Sequence, residues 1–167
     1  MAIVIEGFTV VVRNSVLDAK YPGGRTAFAA DTPNATYCND GFLSRVAFMH
    51  SEDAQAFIAD LEKKGLQKGE GGQALDLALL TPSRFLEGLG CSWLVFATFQ
   101  EIPIAWLDGE KPTPIVGPPG YVPGRKMEFV TPEEAKRLVY LRTEDGVEVY
   151  RDKTTAKEMF VGRTSSD

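Results

Sequence analysis

The segment from Phe42 to Leu66 changes its hydrophobic period once, and that change constrains the fold more than any other feature of the chain. From Phe42 to Met49, apolar residues fall on both alternating faces: Phe42, Val46 and Phe48 on one, Leu43, Ala47 and Met49 on the other. A strand that is apolar on both faces belongs inside a sheet covered on two sides. From Ser51 the spacing becomes helical, with Ala54, Phe57, Ile58 and Leu61 at i, i+3, i+4 and i+7. Ser51 is expected to cap the first turn with its hydroxyl. Glu52 and Asp53 suit the positive end of the helix dipole, and Lys63 and Lys64 the negative end. Gly65 can take the left-handed conformation that closes a helix, letting Leu66 fold back onto the last turn. These signals predict a main helix over 51–64, packed on a sheet.

The rest of the chain predicts shorter pieces. Strands are expected over Ile3–Val12, with Gly7 marking a bulge or a close backbone approach, and over 74–80, 91–99 and 102–107. Gln100-Glu101 should turn the third back into the fourth, and Pro103 points to a sheet edge. A short strand is expected at 127–130, and Asp145-Gly146 signals a hairpin between 139–143 and 147–151. Met159–Gly162 is expected to add a last strand. Short helices are expected from Asn14 or Ser15 to Tyr21, over 26–30, and over 84–89 behind Thr81-Pro82. Thr131-Pro132-Glu133-Glu134 reads as a capping box. Two loops stand out as irregular, 14–41 and 110–125, the second holding half of the ten prolines. A chain of 167 residues can bury about 70% of its unfolded surface and needs no disulfide or metal to fold. The expectation is a single α+β domain over 1–167, with a mostly antiparallel or mixed sheet, one main helix and several short ones.

Charge narrows the functional classes. The net charge is −5 and the pI about 5.0, which argues against a nucleic-acid footprint. No apolar run approaches the length of a membrane span. The N-terminal apolar run has no basic flank and is interrupted by Glu6, so no signal peptide is expected. Two cysteines, Cys38 and Cys91, then read as free thiols in a reducing, cytoplasmic setting. Asn34-Ala35-Thr36 matches a glycosylation acceptor by pattern alone. A structural zinc site wants four Cys or His ligands in close pairs, and one histidine with two distant cysteines cannot supply them. No metal or cofactor is expected. Phosphate-loop, dinucleotide and nucleophile-elbow patterns are absent from the sequence.

Three residues are candidates for ligand binding. Arg45 lies mid-strand among apolar neighbours, where a buried guanidinium needs a partner. Asp76 is the natural partner if its strand lies alongside; the alternative is a pocket where Arg45 binds a ligand carboxylate or phosphate. Glu6 can join either arrangement. His50 sits where a strand ends and a helix begins, a junction that often lines a cleft. Trp93 offers an aromatic surface, and Tyr121, in the proline-rich loop, suits contact with a protein partner.

The run Leu43-Ser44-Arg45-Val46-Ala47-Phe48, followed by Ser51-Glu52-Asp53-Ala54 and closed by Gly65-Leu66, resembles the opening of a vicinal-oxygen-chelate module, the family of glyoxalase I and extradiol dioxygenases. The resemblance spans residues 42–107 and implies a βαβββ unit completed by the strands at 74–80, 91–99 and 102–107. Arg45 stands where metal-binding members commonly carry a histidine, so the resemblance implies a non-metal, ligand-binding relative. The same pattern also suits a ferredoxin-like βαβ piece.

No coherent catalytic set emerges from the residues. The sequence therefore points to a non-catalytic binding or interaction protein, of inhibitor or immunity type for example, with a protein partner. The alternative is a small-molecule-binding or enzymatic domain similar to the vicinal-oxygen-chelate family, with Arg45 holding a small anionic ligand. Neither nucleic acid nor membrane is expected as a partner, and homo-oligomerisation stays open.

Overall fold

The structure, a computed structural model, describes residues 1–82, 84–85, 90–119, 121, 136–144 and 147–161. The chain opens with β1 (Ala2–Val4), β2 (Phe8–Arg13), α1 (Asn14–Lys20), α2 (Gly24–Asp31), β3 (Cys38–Asn39), β4 (Leu43–Phe48) and α3 (Ser51–Lys63). It continues with β5 (Gly69–Glu70), β6 (Gln73–Ala74), β7 (Leu77–Thr81), β8 (Arg84–Phe85), β9 (Leu94–Phe99) and β10 (Ile102–Leu107). It ends with β11 (Ile115–Val116), β12 (Leu138–Glu144), β13 (Val147–Asp152) and β14 (Glu158–Val161). The fold class is α+β, and among the described residues every strand pair is antiparallel except β1 with β11.

A five-stranded sheet in the order β3-β4-β2-β7-β8 forms the middle of the molecule. One face carries Val10, Val12, Val46, Phe48, Leu77 and Leu79, and α1, α2 and α3 cover it. Val16, Leu17, Phe28, Ala54, Ile58 and Leu61 supply the helical side of that core. The opposite face carries Val11, Leu43, Ala78 and Leu80. It packs on a four-stranded sheet, β11-β1-β10-β9, through Ile3, Ile5, Leu94 and Ala105. All six residues of β4 are buried, as its two-sided apolar pattern requires. Burying Ile58 and Leu61 contributes roughly 1.5–3 kcal/mol each.

The expected strand Ile3–Val12 is two strands in two different sheets. The chain crosses between them at Gly7, whose φ is +50°, and a Cβ there would lie 2.5 Å from the Phe48 carbonyl oxygen. The close approach read from Gly7 is therefore real, and it breaks the strand. Other expectations change for local reasons. His50, not Ser51, occupies the cap position of α3, and no side chain caps the first turn. Arg84 and Phe85, expected in a helix, form β8 and pair with β7, so sheet pairing overrides the Thr81-Pro82 helix signal. The remainder of that expected helix, 86–89, lies outside the described residues, as do the strand at 127–130 and the capping box at 131–134. Pro103 lies in an inner strand, with β1 on one side and β9 on the other. It is tolerated because β1 ends there: Ile5 donates its N–H to the Pro103 carbonyl at 2.8 Å, and only the return bond is lost. The loop 14–41 holds α1, α2 and β3.

A third sheet, β12-β13-β14, carries the hairpin expected around Asp145-Gly146, although the two turn residues are not among those described. It attaches to the main body along residues 29–35. Ala35 donates its N–H to the Glu158 carbonyl at 3.1 Å, and Glu158 donates to that of Pro33 at 3.4 Å. The Lys157 ammonium donates to the Ala29 carbonyl (2.9 Å) and the Thr32 hydroxyl (2.8 Å). Asn34 is buried in the same contact and donates to the Ala47 carbonyl at 2.8 Å, so its glycosylation pattern is a structural hydrogen bond. Among the described residues, no helix is long and apolar enough to cross a membrane.

Candidate functional site

Arg45 is fully enclosed between the five-stranded and four-stranded sheets, with 0% of its side chain exposed. Its Nη2 donates to Glu6 Oε2 at 3.0 Å, and its Nε donates to Cys38 Sγ at 3.2 Å. Among the described residues, Nη1 has no hydrogen-bond partner. Register explains the thiol contact, because Cys38 lies directly across from Arg45 in the β3–β4 pair. Burial pushes the Cys38 thiol up, with the Arg45 charge opposing it, so Cys38 is a neutral thiol at pH 7. Burial also lowers the Arg45 guanidinium from its ordinary value. Tyr121 is half-buried, and a Cβ on Gly117 would fall 2.7 Å from its ring. Burial raises its phenol, and the positive charge of Arg45 acts in the other direction.

The expected Arg45–Asp76 pair does not form. β2 separates the two strands: Val11 faces Arg45 on one side and Ala78 on the other. Asp76 instead accepts from the Lys20 ammonium at 2.7 Å and the Gln67 N–H at 2.7 Å, with Arg13 at 3.8 Å. Trp93 is held separately. Its Nε1 donates to the Ala74 carbonyl at 3.1 Å, and the Arg13 guanidinium lies 5.0 Å from the ring centroid. His50, at the N-cap of α3, points its Nε2 at Glu144 Oε2 of β12, 3.3 Å away. The three residues singled out by sequence thus stand in three settings: Arg45 in the inter-sheet core, Trp93 against Arg13 and Ala74, and His50 against the C-terminal sheet.

His50 leads to a feature that the sequence did not reveal. Glu144 also accepts from Arg142 Nε at 2.6 Å, and Arg142 forks onto both oxygens of Glu158 at 3.0 and 3.3 Å. Arg142 holds the Glu144 carboxyl below the usual range, and the two glutamates raise the guanidinium in turn. Arg142 and Glu158 form part of one wall of a groove of about 370 Å³. α3 forms the other wall with Asp53, Ala56, Phe57 and Asp60, and Arg151 and Ala156 complete the sheet side. Phe48 and Phe57 provide aromatic surface at the bottom, their ring centroids 5.3 Å apart. Asp53, Ala56, Phe57 and Asp60 align because they are spaced by three and four along one helix.

Chemically, the groove offers carboxylates, guanidinium groups and an aromatic surface. Among the described residues, no three His, Cys, Asp or Glu side chains are placed to hold a metal ion. The half of the groove on α3 was readable as the boundary between the apolar stripe and the acidic face. The half on β12–β14 was not, since nothing local ties Arg142 or Arg151 to residues near 53–60. Comparison of the chain with protein-family models, curated proteins and solved structures finds no match in any of the three.

Proposed function

We propose that the protein is a non-catalytic binding protein whose contact site is the groove between α3 and the C-terminal three-stranded sheet. The composition of the lining carries this reading. It provides charge of both signs over an aromatic floor and, among the described residues, contains no thiol, hydroxyl, amine or imidazole to serve as a nucleophile. Its volume lies near the lower end for ligand sites, roughly 300–1,000 Å³, and suits a small molecule or one or two residues of a partner chain. An inhibitor or immunity-type role is one concrete form, with the partner supplying the occupant. Two free thiols, Cys38 and Cys91, fit a reducing compartment such as the cytoplasm. The test is thermal melting against a panel of amino acids, dipeptides, alkylamines and carboxylates, with wild type and Ala56→Trp. Ala56 is exposed on α3, so its replacement fills the groove without entering the core. At least one class should raise the wild-type melting point and leave the variant unmoved, because only binding to the folded state stabilises it. A silent panel, or an equal rise in both proteins, removes the groove as the contact site.

A second reading rests on Arg45 Nη1, a buried donor without a partner among the described residues. It keeps Arg45 as an anion-binding arginine in a domain similar to the vicinal-oxygen-chelate family. Phosphate or a small carboxylate should then stabilise wild type and not Arg45→Met. An equal response in both proteins leaves Arg45 with a structural role alone.

A further inference from the structure

The charges in the groove do not all cancel, and what remains has a direction. Asp60 is matched by Lys63 at 3.3 Å. Glu158 is matched by Arg142 at 3.0 Å, and Arg142 also holds Glu144. Two charged groups are left over. Asp53 on the α3 wall and Arg151 on the sheet wall have no side-chain partner among the described residues, though both line the same groove. Opposite charges sharing one groove attract each other, yet these two form no ion pair. Phe48 and Phe57 line the same groove beside them.

We infer that the groove takes a small zwitterion with an apolar body, of the class of free amino acids and dipeptides. Asp53 receives the ammonium, Arg151 the carboxylate, and Phe48 and Phe57 the apolar side chains. This rests on the groove being the binding site. A guanidinium suits the carboxylate end because its planar fork can donate two parallel hydrogen bonds. A carboxylate without a competing cation suits the ammonium end. The aromatic floor gives the body of the ligand a surface to cover, which separates this ligand class from a bare salt. Two extended residues reach about 7 Å, a length compatible with a groove of about 370 Å³.

The experiment is calorimetric titration of the full chain with leucyl-leucine, N-acetyl-leucyl-leucine and leucyl-leucinamide, using wild type, Asp53→Asn, Arg151→Gln and Ala56→Trp. Leucyl-leucine should bind wild type, and blocking either end should weaken binding about two- to fivefold, as for a charge pair at exposed side chains. Asp53→Asn should no longer distinguish the free from the acetylated amine. Arg151→Gln should no longer distinguish the free acid from the amide. Ala56→Trp should bind none of the three. Blocked and free ligands that bind equally, with neither charge variant mattering but Ala56→Trp still abolishing binding, overturn the zwitterion and leave the groove standing. No heat from leucyl-leucine overturns the zwitterion as well. If the wider panel of amines and carboxylates is also silent in melting, the groove reading falls with it.

Discussion

Arg45 brings a permanent positive charge into a space lined by Val11, Leu43 and Ala78, so its partners decide whether the two sheets can close. Glu6 supplies the compensating charge, and it reaches Arg45 because Gly7 turns the chain from one sheet to the other directly after it. Removing one member of a buried pair strands the other, at a cost of about 3–5 kcal/mol, whereas replacing both by apolar side chains is often close to neutral. Glu6 keeps 17% of its side chain in solvent, so the lower end of that range applies. Glu6→Ala should lose about 3 kcal/mol in urea unfolding, and Arg45→Met with Glu6→Leu should lose less than Glu6→Ala alone. A loss under about 1 kcal/mol for Glu6→Ala would mean that Glu6 is not what neutralises Arg45. The need for a partner was legible in the sequence, because a mid-strand arginine among apolar residues has no other way to be buried. Its identity was not, because it depends on which strand lies beside which.

At the scale of one element, α3 is closed by its backbone and opened without a side-chain cap. Leu66 donates its N–H to the Leu61 carbonyl at 3.1 Å and Gly65 donates to that of Glu62 at 3.0 Å, the paired bonds of a Schellman motif. Gly65 has φ +102° and nothing within 4 Å of a Cβ, so any effect of a side chain there is backbone strain alone. Gly65→Ala should therefore cost about 1–2 kcal/mol. Ser51 makes no capping bond, and Ser51→Ala should stay within about 0.5 kcal/mol of wild type. Chemical unfolding of the two variants side by side checks both values. A loss near 1 kcal/mol for Ser51→Ala would restore the hydroxyl cap that the sequence suggested. Helix end signals are local, which is why Gly65 and Leu66 read correctly. The start shifted by one residue because β4 runs directly into α3 and leaves His50 in the extended cap position.

Across the whole molecule, the C-terminal sheet is joined to the body by the residue 29–35 contacts and by the chain His50–Glu144–Arg142–Glu158. Glu144 has its carboxyl depressed first by Arg142. A depressed folded pKa contributes stability above the unfolded value, about 4.3 for glutamate, and that contribution is lost as pH falls through and below it. Melting followed by near-ultraviolet circular dichroism should fall between about pH 5 and pH 3, with the tyrosine signal of Tyr140 and Tyr150 changing early. Arg142→Gln should lose under about 1 kcal/mol at pH 7, as these groups are partly exposed, and should show a shallower fall on acidification. Asp31 and Asp152 are depressed too, by the Tyr21 hydroxyl and by backbone N–H donors respectively, so the variant should keep part of the acid response. An unchanged acid profile in Arg142→Gln would remove the network as a lock on the sheet.

The sequence by itself determined what depends on neighbours along the chain. It specified the two-sided burial of β4, the stripe and closure of α3, the close backbone approach at Gly7, the hairpins at 94–107 and 138–152, and the α+β class. Periodicity, turn chemistry and capping act within a few residues, so they are readable without coordinates. Tertiary structure alone decided which strands share a sheet, and with them the partners of the buried charges. Placing β2 between β4 and β7 gave Arg45 to Glu6 and Cys38 and gave Asp76 to Lys20. Docking β12–β14 on α3 made a groove from residues some ninety positions apart. Apolar faces state that they must be covered, but burial is non-directional, and only the packed chain settles what covers them.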